Sequence, residues 1–343
     1  MENKNQEAKK GQEGKNKYER FGYGMLIIKS SNSNFNADFS GLPRKLPDLN
    51  GTIYATDKAL KYCIRRYIHD FHPEEKVFTW RRRKEDLAPC DIGENYGKLF
   101  SNGESDKKTI LQNLLSCIDL RLFGVTYAKG GKDKEAVSFT GPVQISYGVN
   151  RLERNIHYSN QILSPYRNPD ETKEQKKQTT IGSESKGLES WYVYELIVNP
   201  NNLKDVLDTL EEQPTINSDK LFLTVGDIEI LKNALCRAVT YVNTCSKIGS
   251  ESAMLLFVET PNKVNCLSFP MLKDRVIISK NDSKYEIDLS SIFNILEESF
   301  NGNNLTYELY YDNNQVTVKG KKGEEHHLRT MKKLNQNGVT NGN

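Results

Sequence analysis

The side chains most suited to chemistry crowd one stretch: Ser30-Ser-Asn-Ser-Asn-Phe-Asn-Ala-Asp-Phe-Ser-Gly-Leu-Pro-Arg-Lys45. It is rich in amide, hydroxyl and basic groups and has no nucleophile–base pair. Such a set suits holding a phosphate backbone rather than cutting a bond. Asn32, Asn34 and Arg44 are its candidate contacts. Just beyond lie Lys58, Lys61, Arg65 and Arg66, with only Asp57 and Asp70 as acids in the same segment. A solvated helix face is the ordinary explanation of such charges, but the sign bias favours phosphate. Asp38 admits two readings. In a loop holding nucleic acid it could position a metal or activate a 2′-hydroxyl, or it could cap a turn by accepting nearby backbone amides. No partner acid or base is evident, which favours the cap.

Two further places carry candidate phosphate donors. Ser246-Lys-Ile-Gly-Ser250 could present backbone amides to an anion. A helix C-cap explains Gly249 almost as well, and Lys247 leans the balance to phosphate. Arg151, Arg154 and His157 begin a polar segment, 148–190, that also holds Arg167, Lys173, Lys176, Lys177 and Lys186. His157 could stack on a base, although an exposed loop histidine is the commoner case.

Several chemistries lose support. No G-x-x-x-x-G-K-[ST], G-x-G-x-x-G or G-x-S-x-G string occurs, so the familiar nucleotide and hydrolase routes have no motif. His69 and His72 are spaced H-x-x-H without a third ligand at sensible spacing. The six cysteines, at 63, 90, 117, 236, 245 and 266, form no C-x-x-C. They read as small buried hydrophobes in a reducing cytosol. No metal and no cofactor is expected. With 48 Lys+Arg against 45 Asp+Glu, the net charge is only +3. A local basic groove remains compatible with that balance. No signal peptide and no membrane span is read, so the expectation is a soluble, cytoplasmic protein.

The elements that must position these groups follow from periodicity. The length, 343 residues, allows one large domain with insertions or two domains. Residues 21–29 read as a strand apolar on both faces, hence central. The loop 30–55 is too long for a plain connector. Thr56 or Asp57 caps a helix whose stripe is Ala59, Leu60, Cys63, Ile64, Tyr67 and Ile68. Residues 76–83 read as a strand ending in a basic cluster, 84–108 as irregular, 109–118 as a helix. Residues 119–128 read as a strand or a helix-to-strand passage, 129–134 as a turn, and 137–147 as a strand bent at Gly141-Pro142. Residues 148–190 bury little and read as a projecting arm, with a disordered loop as the near-equal alternative. Then come a strand (191–198), helices (203–211 and 227–245), a buried strand (253–259), strands at 275–280 and 284–289, a helix (290–300) and a hairpin turning at Asp312. Residues 1–17 and 321–343 read as disordered tails. The class is α+β, a ferredoxin-like, RRM-type core with large insertions.

Several strings in register resemble one family. They are Asn32-Ser-Asn-Phe-Asn-Ala-Asp38, Gly41-Leu-Pro-Arg44, Gly51-Thr-Ile-Tyr-Ala-Thr-Asp57 and Leu60-Lys-Tyr-Cys-Ile-Arg-Arg-Tyr-Ile68. Together they look like the "N-x-N-x-x-x-D … R-P-R … T-D … L-K-R-x-I-R-x-Y-I" start of the Cascade backbone subunit, the CRISPR-associated seven family of type I-B. Asp119-Leu-Arg-Leu-Phe-Gly124 is similar to its "D-x-R-L-F-G" segment, and Thr140-Gly-Pro-Val-Gln144 to its "T-G-P-V-Q" strand. Ser246-Lys-Ile-Gly249 is similar to its glycine loop. The resemblance spans roughly residues 20–260. Phe35, Ala37, Leu42 and Tyr62 depart from the pattern.

The resemblance implies an RRM-like palm over 18–320, with a finger-like insertion (72–108) and a thumb-like arm (148–190). It implies copies stacked head to tail along one CRISPR RNA, beside other Cascade subunits, presenting the guide to target DNA. It assigns no nuclease activity. Related type III subunits cut target RNA with a first-loop aspartate, so a metal-dependent endoribonuclease using Asp38 is the alternative. The residues expected near RNA are Asn32, Asn34, Arg44, Lys58, Lys61, Arg65, Arg66, Arg151, Arg154, His157, Lys247 and Gly249.

Overall fold

A computed structural model describes residues 16–100, 106–128, 136–166, 180–210, 221–261, 269–281, 284–300 and 304–334. Residues 1–15, the turn at 129–134, the Arg167–Lys177 part of the arm and the last nine residues lie outside the described residues; of the tail expected over 1–17, Lys17 is bridged to Thr224.

The first apolar run folds as β1 (Gly22–Ser33). It lies between β8 (Thr180–Val198) and β9 (Ser250–Glu259), antiparallel to both. Its alternation splits its side chains between two cores. Leu26 and Ile28 face one, while Tyr23, Met25 and Ile27 face the other. That is what an apolar-both-faces strand requires, and it makes β1 the spine of the sheet. Outward from β9 come β12 (Thr306–Tyr311) and β14 (Glu324–His327); outward from β8 come β6 (Gly148–Asn150) and β2 (Tyr54–Ala55). Two more strands, β5 (Val143–Ile145) and β7 (His157–Leu163), pair with β8.

Helices α1 (Asp57–Phe71) and α6 (Val225–Tyr241) cover the Leu26/Ile28 face. Thr56 caps α1 through its side chain, and Thr224 and Asp227 form a capping box on α6. The opposite face is covered by a small sheet, β10 (Ile277–Asn281), β11 (Lys284–Asp288) and β13 (Val316–Lys319), with helix α7 (Ser290–Ser299). A third core joins α2 (Ile92–Leu99), α3 (Lys107–Leu115), α4 (Ile118–Phe123) and the ribbon β3 (Gly124–Ala128)–β4 (Ala136–Thr140). Helix α5 (Lys204–Leu210) adds Leu210 to it. The architecture is α+β, as the sequence indicates.

The structure corrects several expectations. Residues 76–83 form no strand, only two isolated bridges, Lys76 to Cys117 and Arg83 to Pro89. The amides of Phe78 and Thr79 are taken by the Asp119 carboxylate at 2.7 and 3.0 Å. Arg82 returns to the Val77 and Phe78 carbonyls. Side chains, not a neighbouring strand, satisfy that backbone. The segment 84–108, expected to be irregular, contains α2, whose Asp91–Glu94 capping box is visible in the sequence. Pro142 ends β4, so the expected bent strand becomes two strands in different sheets. Asp312 does not turn a hairpin: β12 pairs with β9 and β14, while β13 pairs in parallel with β11. The supposed tail from residue 321 carries β14, which docks on the main-sheet edge at Glu308↔Glu324. Its alternation is too short and polar to read as a strand by pattern. Cys245, expected buried, is exposed.

Candidate nucleic-acid interface

Three segments far apart in sequence meet at the end of β1. They are the loop into α1, the root of the β7–β8 hairpin, and the turn leading from α6 to β9. The loop begins where Asn34 donates its amide to the Ser246 carbonyl at 2.7 Å. Its Nδ2 donates to the carbonyls of Gly41 (3.0 Å) and Ser185 (3.1 Å). Asn34 is therefore a buried pin at 4% exposure; its Nδ2 is spent on the protein, while its buried Oδ1 has no hydrogen-bond partner. Ser30, Ser33 and Ser250 close a buried ring of hydroxyls at 2.6–3.0 Å beneath it.

Gly249 is needed by close approach. Its φ is +101°, and a Cβ there would lie 2.2 Å from the Ser31 carbonyl oxygen. The Ser31 amide in turn donates to the Gly249 carbonyl at 2.8 Å. Lys247 lays its ammonium 4.7 Å over the Phe35 ring and donates to the Phe35 carbonyl. Burial holds its pKa below the usual amine range. The expected amide cradle is thus a lock that fixes the loop's first turn.

The far side of the loop is tied to the helix and the hairpin. Asn36 Oδ1 accepts from the Thr56 amide (2.8 Å) and hydroxyl (2.9 Å). Asn155 Oδ1 accepts from the Ile53 amide at 2.9 Å. Tyr158 donates to Asn32 Oδ1 at 3.4 Å, and Asn32 is exposed with φ +49°. Asn150, buried, accepts from the Trp191 amide at 2.7 Å and holds Asn155 at 3.0 Å. Asn36, Asn150 and Asn155 were not singled out in the sequence. Each is an asparagine beside a turn, a signal too common to stand out.

The basic groups divide. Arg44 is half-buried, with a buried Nε that has no hydrogen-bond partner. Lys58 is open to solvent, 81% exposed at its side chain, with Asp57 3.7 Å away. Lys61 is 3.2 Å from Asp57 and 5.1 Å over Phe123; burial lowers its pKa although Asp57 opposes the shift. Arg65 donates to Asp119 at 3.0 Å and also sits over Phe123. Arg66 pairs with Asp70 at 2.5 Å over the Trp80 ring, on which His69 also stacks. Arg154 is exposed and His157 half-buried near the hairpin root. Arg151 leaves the site: it pairs with Asp274, on the side of the small sheet. The site therefore gathers Asn32, Asn34, Arg44, Lys58, Arg154, His157, Lys247 and Gly249. Lys61, Arg65 and Arg66 run off along α1, and Arg151 is not part of it.

Asp38 is a turn cap, accepting the amides of Ser40 and Leu42 at 2.8 and 2.9 Å. Among the described residues no group of three or more His, Cys, Asp or Glu could hold a metal. No described helix is long and apolar enough to cross a membrane.

A sheet with paired helices on one face, and with loop, hairpin root and glycine turn knotted at one end, defines an RRM-like palm bearing inserted elements. The family model described as CRISPR-associated protein Cas7 matches residues 20–295, and the chain belongs to that family. The fold is similar to a chain of a solved "CRISPR RNA-guided surveillance complex, pre-nicking", at 12% identity and TM-score 0.51, covering 90% of this chain and 96% of that one. A chain of another "CRISPR RNA-guided surveillance complex" aligns at 10% identity and TM-score 0.48, covering 89% and 94%. No curated protein matches the sequence.

Proposed function

We propose that the protein binds CRISPR RNA as the repeated backbone subunit of a surveillance complex. One observation carries the reading. The loop Ser30–Ala55 is pinned at both ends by asparagine and serine bonds, so exposed Lys58, Arg154 and Asn32 stand around a fixed polar surface. Preorganised donors hold a phosphate chain at little ordering cost. Family membership and a fold shared with RNA-guided complexes support the same reading.

In this reading 148–190 is the thumb, 72–108 the finger, and 18–320 the palm. Copies stack head to tail, beside other subunits of a type I-B Cascade in the cytoplasm, and the held guide pairs with target DNA. Sequence readout is then left to base pairing, and backbone contacts suffice. The role is structural: Asp38 accepts two backbone amides, which suits a cap better than a general base.

The test is nucleic-acid retention. Purified protein should carry RNA, seen in its absorbance ratio and removed by high salt. Replacing Arg44, Lys58 and Arg154 together by alanine should flatten the salt dependence by roughly one per lost phosphate contact. Unchanged retention and slope in that triple variant would refute the site.

A further inference from the structure

The loop between β1 and α1 contains the same small turn twice. Asp38-Phe-Ser-Gly41-Leu42 and Asp48-Leu-Asn-Gly51-Thr52 share the pattern Asp, apolar, polar, Gly, ten residues apart. In each, the glycine amide donates to the aspartate carbonyl at 3.2 Å. The aspartate Oδ1 accepts the amide four residues on, at 2.9 Å from Leu42 and 2.8 Å from Thr52. Each glycine has positive φ, +82° and +54°. Bridges Ala37↔Pro43 and Lys45↔Ile53 close the two tips.

Both tips lift one large apolar side chain wholly into solvent. Phe39 is 104% exposed and Leu49 is 107%. A lone exposed apolar residue is ordinary. Two at the same position of two hydrogen-bonded turns form a repeated device. The turns fix the backbone in advance, which lowers the ordering cost of a contact. Around the tips the exposed polar neighbours are Ser40 and Asn50, the exposed apolar ones are Leu42 at 37% and Pro47, and Arg44 and Lys45 lie in the chain between them. A protein hot spot has its anchor inside a wider apolar surface, which these mostly polar collars, with only Leu42 and Pro47 apolar, do not provide. A fully exposed apolar group set mainly among polar and cationic residues matches the flat face of an unpaired base.

We infer that Phe39 and Leu49 contact unpaired bases of the bound strand, Phe39 by stacking and Leu49 as an aliphatic wedge. The inference rests on the nucleic-acid reading of the site and gives it a base-contacting part.

The experiment uses the full chain and two labelled strands of equal length, a uridine RNA and its abasic ribose-phosphate counterpart. Binding is read by anisotropy, with thermal melts confirming that the variants remain folded. Phe39→Ala should weaken the uridine strand about tenfold, the scale of one lost stack, and leave the abasic strand unchanged. Phe39→Trp should retain affinity, and Leu49→Ala should lose less than Phe39→Ala. Equal effects of Phe39→Ala on both strands, or none on either, overturn the inference. So does reduced self-association of the Phe39→Ala/Leu49→Ala protein in RNA-free sedimentation, which would assign the tips to a second copy of the chain. Wild-type protein that binds both strands equally, with strong salt dependence, overturns the tips alone. Wild-type protein that binds neither overturns the site reading as well.

Discussion

The two ends of α1 carry the same basic chemistry and use it differently. At the N-terminal end, Lys58 is open to solvent and the cap Thr56 is held by Asn36 of the loop after β1. Further along, Arg65 is committed to buried Asp119, and Arg66 to Asp70 above Trp80. The cations farther from the loop therefore tie α1 to Asp119 and Trp80 in the segment that follows it. Lys58, nearest the loop, stays open to solvent. A basic helix is not a uniform phosphate rail; what each cation does depends on which carboxylate the fold brings beside it.

The comparison is sharpest where burial is deepest. Arg121, 1% exposed, makes a two-pronged pair with Asp227 at 2.8 and 2.9 Å and joins α4 to α6. Arg121→Ala leaves the Asp227 carboxylate buried and should cost about 3–5 kcal/mol in urea unfolding. Asp119→Ala strips the Phe78 and Thr79 amides of their acceptor and should cost about 2–3 kcal/mol. It also frees Arg65. If this variant is as stable as wild type, the segment 76–83 is not held as described. Gly249→Ala meets the Ser31 carbonyl at positive φ and should cost about 1–3 kcal/mol, with RNA retention falling in parallel.

Smaller effects come from the exposed groups. Burial raises the Asp70 pKa, but bonds from His69, Tyr241 and Arg66 outweigh it and hold the carboxyl at about 2. A depressed acid stabilises the fold above its unfolded pKa, near 4. That contribution should be lost between about pH 4 and 2, and solvent screening keeps it to about 1 kcal/mol or less. Asp70→Asn should erase that part of the acid melt. Lys58→Ala should leave stability within about 0.5 kcal/mol while lowering the salt slope of RNA binding by about one. A stability loss at Lys58 matching that at Asp119 would dissolve the distinction between the two ends.

What was legible in the sequence was local. The alternation of β1, the α1 stripe of Leu60, Cys63, Ile64, Tyr67 and Ile68, and the turn-capping Asp38 all depend on neighbours within a few residues. The Asp91–Glu94 capping box was equally local and passed unread. What stayed hidden depends on distant partners. Arg65 finds Asp119 across 54 residues, and Arg121 finds Asp227 across 106. Residues 76–83 alternate like a strand, but no pattern discloses that Asp119 takes their amides. Gly249 looked like a phosphate cradle because the approach of Ser31 cannot be read from its own segment. Arg151 looked like part of the arm's cationic set because Asp274 lies 123 residues away.

The central position of β1 bears on how the chain is made. Its ladder partners are β8 and β9, and Gly22 pairs with Val198 and Glu259. A ribosome adding about 5–20 residues per second would release the first strand roughly 10–50 s before its β9 partner. Until β8 emerges Tyr23–Ile28 is an unpaired apolar strand, and until β9 follows it keeps one edge open to any other strand it meets. Yield in the cell should therefore depend on whatever shelters those residues until the second flank arrives.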